Sequence, residues 1–381
     1  MRHKLKKIDL GIVVILLCFM AFSTLIIYSA THNHPLYEKK AFEHIIYFTL
    51  GFVVVIGSVF VDYRIVLKFW YVFLIIGVIM LALVYAVGPE INGAKGWFKI
   101  KSFSFQPAEI VKLFIIIGLA AWMGKRKGEK LTFYRDLVPI GLIVGIPFIL
   151  VLITPDLGNA IIYLVILVGM LWIGNMKYSH VLIGLTVVVA GLVLSVSLFN
   201  TYNTEIADAL RDKGKYHWYS RINTFINPEE ASPAARYQVE NAQIAIGTGG
   251  LTGKGFMEGS IKNAGLVPYT YSDSIFSVVG EEFGFQGSAI LLLFYFLLIY
   301  RMIVIAYRCY DLRAAYIVVG VISMFVFQIF ENIGMMIGIM PVTGITLPFV
   351  SYGGTSLLLN MLSIGIILSI NAHQYKYELD D

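Results

Sequence analysis

The sequence predicts an all-α polytopic membrane protein of about ten transmembrane helices, with one large extracytoplasmic loop of short interfacial helices. Three observations carry that expectation. Hydrophobic residues fill 58 % of the 381 positions and charged residues only 14 %, with a mean hydropathy of +0.78, too little charge to cover a soluble chain of this size. Apolar runs of about 20 residues, the length a bilayer core demands, recur along the chain. Basic residues crowd one alternate set of connections and are sparse in the other.

Met1–Lys7 reads Met-Arg-His-Lys-Leu-Lys-Lys and imitates the start of a secretory signal. The apolar stretch from Leu10 to Ser29 is too long for one and no small-residue cleavage site follows, so it reads as a retained first span. Further runs fall near 44–61, 69–87, 106–124, 137–153, 158–175, 180–199, 285–306, 314–336 and 351–371. The crowded connections hold Arg2, Lys4, Lys6, Lys7, Arg64, Lys68, Lys125, Arg126, Lys127, Lys130, Arg135, Lys177, Arg301, Arg308 and Arg313, the sparse ones only Lys39, Lys40, Lys95, Lys99 and Lys101. By the positive-inside rule both termini are cytoplasmic, and the 200–273 segment and the 337–350 connection face outward. The net charge of +5 therefore sets topology and calls for no nucleic acid.

The 200–273 segment mixes charge and aromatics without strand-like alternation, and it is too thin in apolar residues to fold alone. The chain thus reads as one transmembrane domain over 1–381. Cys18 and Cys309 lie far apart in apolar surroundings and suggest neither a disulfide framework nor a metal site. No His pair has metal-ligand spacing, and no structural metal is expected.

Residues 332–356 (Asn332 to Ser356) break the pattern of spans with two prolines and five glycines between long apolar helices. Irregular backbone at membrane depth survives only where protein buries it or where it lines a wet cavity, so the break points to a site. Four outward elements carry further polar residues. Asn92–Phe98 contains Trp97, which reads equally as an interfacial anchor. It runs into Gln106–Lys112, where Pro107 suits a first helical turn. There Glu109 and Lys112, three apart, share one face just inside the membrane. Such charges face a cavity or one another, and a cavity lining is preferred. Thr154–Asn159 is a tight turn in which Asp156 fits either an N-cap or a functional carboxylate. Asp273 sits where a polar loop becomes an apolar helix and is open to the same two readings. Gly247–Gly255 looks like a phosphate loop, but Thr248 and Gly255 stand where that motif needs Gly and Ser or Thr. A flexible turn is the simpler reading.

With these residues in place, the chain resembles the SEDS proteins (shape, elongation, division and sporulation), the RodA and FtsW group. The run Gly338–Ser356, Gly-Ile-Met-Pro-Val-Thr-Gly-Ile-Thr-Leu-Pro-Phe-Val-Ser-Tyr-Gly-Gly-Thr-Ser, is the family's signature. Matches also cover Gly93–Phe98, Phe105–Leu113, Pro155–Ala160, Tyr237–Val239, Ala245–Gly255, Ser272–Gly284 and Gln328–Gly334. Short cytoplasmic tails put it nearer RodA. The resemblance implies a peptidoglycan glycosyltransferase that polymerises lipid II into a glycan strand at the outer face of the bacterial plasma membrane. Its expected partner is a class B penicillin-binding protein, a transpeptidase. It implies no certain cofactor and leaves a divalent cation open. By position Asp273 corresponds to the catalytic acidic residue, and Trp97, Glu109, Lys112, Asp156 and Ser356 fall on motif positions that line or shape the outward cavity. Three departures stand near them: Val267-Pro268-Tyr269 replaces Leu-Pro-Glu, Ser272-Asp273-Ser274 replaces Thr-Asp-Phe, and Thr154 replaces a Gln.

The chemistry suits this set. The leaving group, undecaprenyl pyrophosphate, departs as a stable anion, so no general acid is needed, unlike the two-carboxyl glycosidases. One base at the acceptor hydroxyl and cations on the pyrophosphate suffice for an inverting transfer. Asp273 fits the base, while Lys112, Arg221 and Lys254 are candidates for the pyrophosphate by position and charge. A flippase for the same lipid would also use broken helices, but it needs a polar path to the inner side, and here the unusual polar residues cluster outward. A scaffold for cell-wall synthases without its own activity is the third reading.

Overall fold

Leu10–Thr31 forms the first helix, α1, started by Asp9, whose carboxylate accepts from the Ile12 amide at 3.2 Å. Then come α2 (Lys40–Phe60), the short α3 (Tyr63–Lys68) and α4 (Trp70–Val87). A small antiparallel hairpin pairs β1 (Phe98–Ile100) with β2 (Phe103–Phe105), Phe98 opposite Phe105. After it run α5 (Pro107–Met123), α6 (Val138–Ile153), α7 (Leu157–Ile173) and α8 (Tyr178–Thr201). The long segment contributes α9 (Asn203–Asp212), α10 (Pro233–Gly249) and α11 (Ser260–Asn263), and the chain closes with α12 (Ile275–Tyr307), α13 (Leu312–Ile337) and α14 (Gly354–Ala372). This computed structural model describes residues 8–32, 37–89, 95–100, 103–154, 156–212, 216, 219, 222–223, 226–227 and 233–374.

Each of the ten predicted runs is a helix. Among the described residues eight are long and apolar enough to cross a membrane. The other two are α7, shorter at 17 residues, and α8, with 24. In the span windows 78 % of α5 and 72 % of α14 is buried, against 17 % of α4, which puts α5 and α14 at the centre and α4 at the rim. α14 packs along α2, and α13 along α5, α7 and α12. In the long segment α10 packs on α12 and α13, burying Ala242 and Ala245.

α12 begins ten residues before the predicted span and breaks at Gly284, whose φ of 62° and ψ of −157° only glycine adopts easily. A break frees backbone groups that hydrocarbon cannot satisfy. The 250–255 turn supplies their partners: Lys254 and Gly255 amides donate to the Glu281 and Glu282 carbonyls at 3.0 and 3.1 Å. In return Phe285 and Gln286 amides donate to the Gly250 and Leu251 carbonyls at 2.9 and 3.0 Å. The glycine run that imitates a phosphate loop is therefore a backbone plug for a broken helix, not a flexible turn. Gly253 lies directly against the Glu282 backbone, and a Cβ there would clash with it.

Candidate active site

The loop before α12 coils tightly because Tyr269 takes a left-handed conformation, φ 54°, uncommon for a bulky residue. Its carbonyl accepts from the Ser272 and Ser274 amides at 2.8 and 3.4 Å. The N-cap of α12 is Ser274, one residue after Asp273. Three contacts hold this loop on the 332–356 region. Asn332, buried in α13, donates both amide protons, one to the Asp273 carbonyl at 2.8 Å and one to Ile345 at 2.7 Å. Ser351 Oγ donates to Ser272 at 2.6 Å and accepts from the Leu347 amide at 2.8 Å. The Tyr352 amide donates to Tyr271 at 2.9 Å. The Asp273 carboxylate ends beside Gly344, where an added Cβ would stand 3.6 Å from Oδ2.

A second polar group lies across the same stretch of break. Glu109 and Lys112 form an ion pair at 2.8 Å, with side chains 9 % and 2 % exposed, so this pair is a buried one. Ser356 Oγ donates to Glu109 Oε2 at 3.4 Å and meets Thr346 Oγ1 at 3.1 Å. Gln106 donates to Asp156 at 2.6 Å, and Asp156 caps α7 by accepting from the Asn159 amide and side chain at 3.1 and 2.8 Å. Burial pushes the Asp156 carboxyl above its ordinary pKa, against the pull of the Asn159 hydrogen bonds. Glu331, fully buried on α13, has Thr343, Asp156 and Lys112 within electrostatic reach. Thr346 thus touches the Ser356–Glu109–Lys112 side and Gly344 the Asp273 side. They are two residues apart, at most about 7 Å of extended chain.

The hairpin is tied in as well, Thr355 Oγ1 donating to Ser104 at 2.7 Å, and half-buried Trp97 stands just before β1. Lys254 lies elsewhere: its ammonium donates to Ser260 at 2.6 Å and pairs with the buried Glu281 at 2.9 Å. Lys262 pairs likewise with Glu282 at 2.6 Å. Arg221, along with Asn92, Gly93, Ala94 and Pro155, lies outside the described residues. Among the described residues no group of three or more His, Cys, Asp or Glu could hold a metal ion.

Sequence reasoning missed one cation. Lys40, at the start of α2, places Nζ 4.1 Å from the Tyr352 ring centroid, 4.4 Å from Tyr271 and 5.3 Å from Tyr37. Tyr352 hydrogen-bonds Glu43, one turn further along α2. Burial, then neighbouring ionisable groups, raises the pKa of both Tyr271 and Tyr352, so these two rings stay neutral. Among the described residues no carboxylate lies within ion-pair distance of Lys40. Its ammonium lies against Tyr271, two residues before Asp273. The sequence did show a weaker signal for Asn332 and Glu331, since polar residues inside an apolar helix usually face a cavity or a partner.

Comparison with known proteins finds the same architecture. A family model described as cell cycle protein, covering FtsW, RodA and SpoVE, matches residues 7–376. Stage V sporulation protein E of Bacillus subtilis is 31 % identical over 96 % of this chain and 97 % of its own. Peptidoglycan glycosyltransferase MrdB of Escherichia coli is 32 % identical over 96 % and 94 %. A chain from a solved peptidoglycan synthase complex that coordinates polymerization and crosslinking superposes with a TM-score of 0.78. It is 26 % identical, over 97 % of this chain and 99 % of that one.

Proposed function

This chain belongs to the FtsW, RodA and SpoVE family of cell cycle proteins, and from that premise we propose how its residues polymerise glycan. It is a multi-pass membrane peptidoglycan glycosyltransferase. Its substrate is lipid II, used as donor and acceptor at the outer face of the plasma membrane, with both termini cytoplasmic and the 200–273 segment outside. The basic-residue asymmetry supports this topology, and the whole chain forms one SEDS-type domain.

In the proposed reaction an acceptor hydroxyl oxygen attacks the anomeric carbon of the donor. The bond from that carbon to the pyrophosphate oxygen breaks, its electron pair leaves with undecaprenyl pyrophosphate, and the hydroxyl proton passes to the Asp273 carboxylate. A single displacement inverts the anomeric centre. A positioned base contributes about 10²–10⁴-fold. The observation that carries the reading is the grip of Asn332 on both the Asp273 loop and the signature break, which holds the Asp273 loop beside Gly344. Lys112 and Lys254 are committed to carboxylates, Arg221 lies outside the described residues, and Lys40 stands against Tyr271, two residues before Asp273. Lys40 is therefore added to Arg221 as a candidate for the pyrophosphate. Glu109, Lys112, Asp156, Ser356 and Trp97 shape the cavity wall across the break.

The similarity to the synthase complex supports a class B penicillin-binding protein as partner. Purified full-length protein supplied with fluorescent lipid II, with and without that transpeptidase, tests the assignment. A ladder of glycan products is expected. Absence of polymer in both reactions, with the partner still bound, would leave the scaffold reading standing.

A further inference from the structure

The end of the bundle away from Asp273 carries a cleft of about 700 Å³, walled by α3, the start of α4, the turn after α5 and the start of α13. Its charged lining is Arg64, Lys68, Lys125, Lys127 and Arg313, with Asp311 the one carboxylate. Asp311 is already engaged: it caps α13 through the Arg313 amide at 2.9 Å, pairs with the Arg313 guanidinium at 3.0 Å and accepts from Tyr63 at 3.3 Å. Burial raises its pKa, but the Arg313 contacts outweigh that and hold it below the ordinary carboxylate value. Among the described residues no ion pair forms to Lys68, Lys125 or Lys127. Lys125 is held instead over the Trp122 ring, 4.1 Å from its centroid.

Positive charges on this side are expected from topology alone, and most of them need no ligand. What topology does not require is a concave wall that gathers five of them. The wall is built closely, since Arg313 lies across Gly124 so tightly that a Cβ at 124 would overlap its side chain. Like charges converging on one cleft repel unless an anion sits between them, and lysine ammoniums with no acceptor have donors to give. Basic pockets between helices at the membrane surface take phosphate-bearing head groups.

We propose that this cleft binds a phosphate group, carried by an anionic phospholipid of the adjoining leaflet or by free phosphate, remote from the polymerising site. Lys68, Lys125 and Lys127 supply the charge, and Arg64 and Arg313 form the wall.

The test uses the full-length protein in nanodiscs and in detergent. Retention of phosphatidylglycerol over phosphatidylcholine is read by native mass spectrometry, and stabilisation by inorganic phosphate by thermal shift. The variant Lys68→Gln/Lys125→Gln/Lys127→Gln is compared with Lys130→Gln/Lys177→Gln, which removes exposed charge from the same side but outside the cleft. A lipid ligand gives phosphatidylglycerol preference that falls at least about tenfold in the triple variant and stays in the control. Free phosphate as the ligand gives a thermal shift lost in the triple variant alone, with no lipid preference. Equal losses in both variants, or no effect of either ligand on wild type, would overturn the proposal.

Discussion

Asn332 holds Asp273 by its backbone, donating to the Asp273 carbonyl at 2.8 Å while its second amide proton goes to Ile345 at 2.7 Å. One side chain therefore bridges the loop before α12 and the signature break, beside the Ser351 and Tyr352 contacts. Asn332→Leu leaves both carbonyls without this partner, at about 1–3 kcal/mol each, and frees the loop. We expect a lower melting temperature and polymerisation reduced at least about tenfold per folded molecule. Normal turnover by the folded variant would show that the Asp273 loop is fixed by Ser351 and Tyr352 without Asn332.

Lys40 separates charge from packing. Lys40→Gln removes the cation and leaves the tyrosines, whereas Lys40→Arg keeps both charge and ring contact. The Gln variant should raise KM for lipid II about tenfold or more, the value of one charge-assisted contact to phosphate, and the Arg variant should restore most of it. Equal KM in all three proteins would reduce Lys40 to a structural cap on the Tyr271–Tyr352 pair.

Lys254 gives the opposite expectation. It was a pyrophosphate candidate by sequence, yet its ammonium sits on Glu281, which also accepts from the Ile261 and Lys262 amides at 2.8 and 3.1 Å. Lys254→Gln should lower stability by about 2 kcal/mol, with polymerisation per folded molecule within about twofold of wild type. A raised KM at unchanged melting temperature would return Lys254 to the substrate.

The spans were legible because burial in lipid leaves a one-dimensional record, long runs of Leu, Ile, Val and Phe. The break at Gly284 was not, since Phe283 and Phe285 continue the apolar run and only the φ of one glycine interrupts it. Glu281 and Glu282 show the same limit. In sequence they resemble surface residues, but they are fully buried because Lys254 and Lys262, far back in the chain, come to meet them. The shared face of Glu109 and Lys112 could be read from their spacing, but a cavity lining was the preferred reading there, and the two side chains close on each other in a buried pair instead. Lys40 could not be read, because Tyr271 and Tyr352, two of the three rings around it, are remote in sequence and brought to it only by folding.

The Glu109–Lys112 pair is buried, so its partners stand or fall together. Lys112→Met alone strands a carboxylate and should cost about 3–5 kcal/mol. Glu109→Gln/Lys112→Met removes both charges and should recover most of that loss. A double variant as unstable as the single one would mean that the two side chains do not compensate each other, and Glu109 would have to draw its support from Ser356 alone.

Asp273 takes the proton of the acceptor hydroxyl in this mechanism, and Asp273→Asn removes that capacity and little else. The Asn side chain keeps the size and the backbone carbonyl that Asn332 grips, but it takes up no proton at neutral pH. Measured with purified protein on fluorescent lipid II, with melting temperature and partner binding as controls, the variant should fold and bind normally. Its polymerisation should fall by roughly two orders of magnitude or more. Glycan made at close to the wild-type rate would show that Asp273 is not the base and move the search to Asp156 or Glu109.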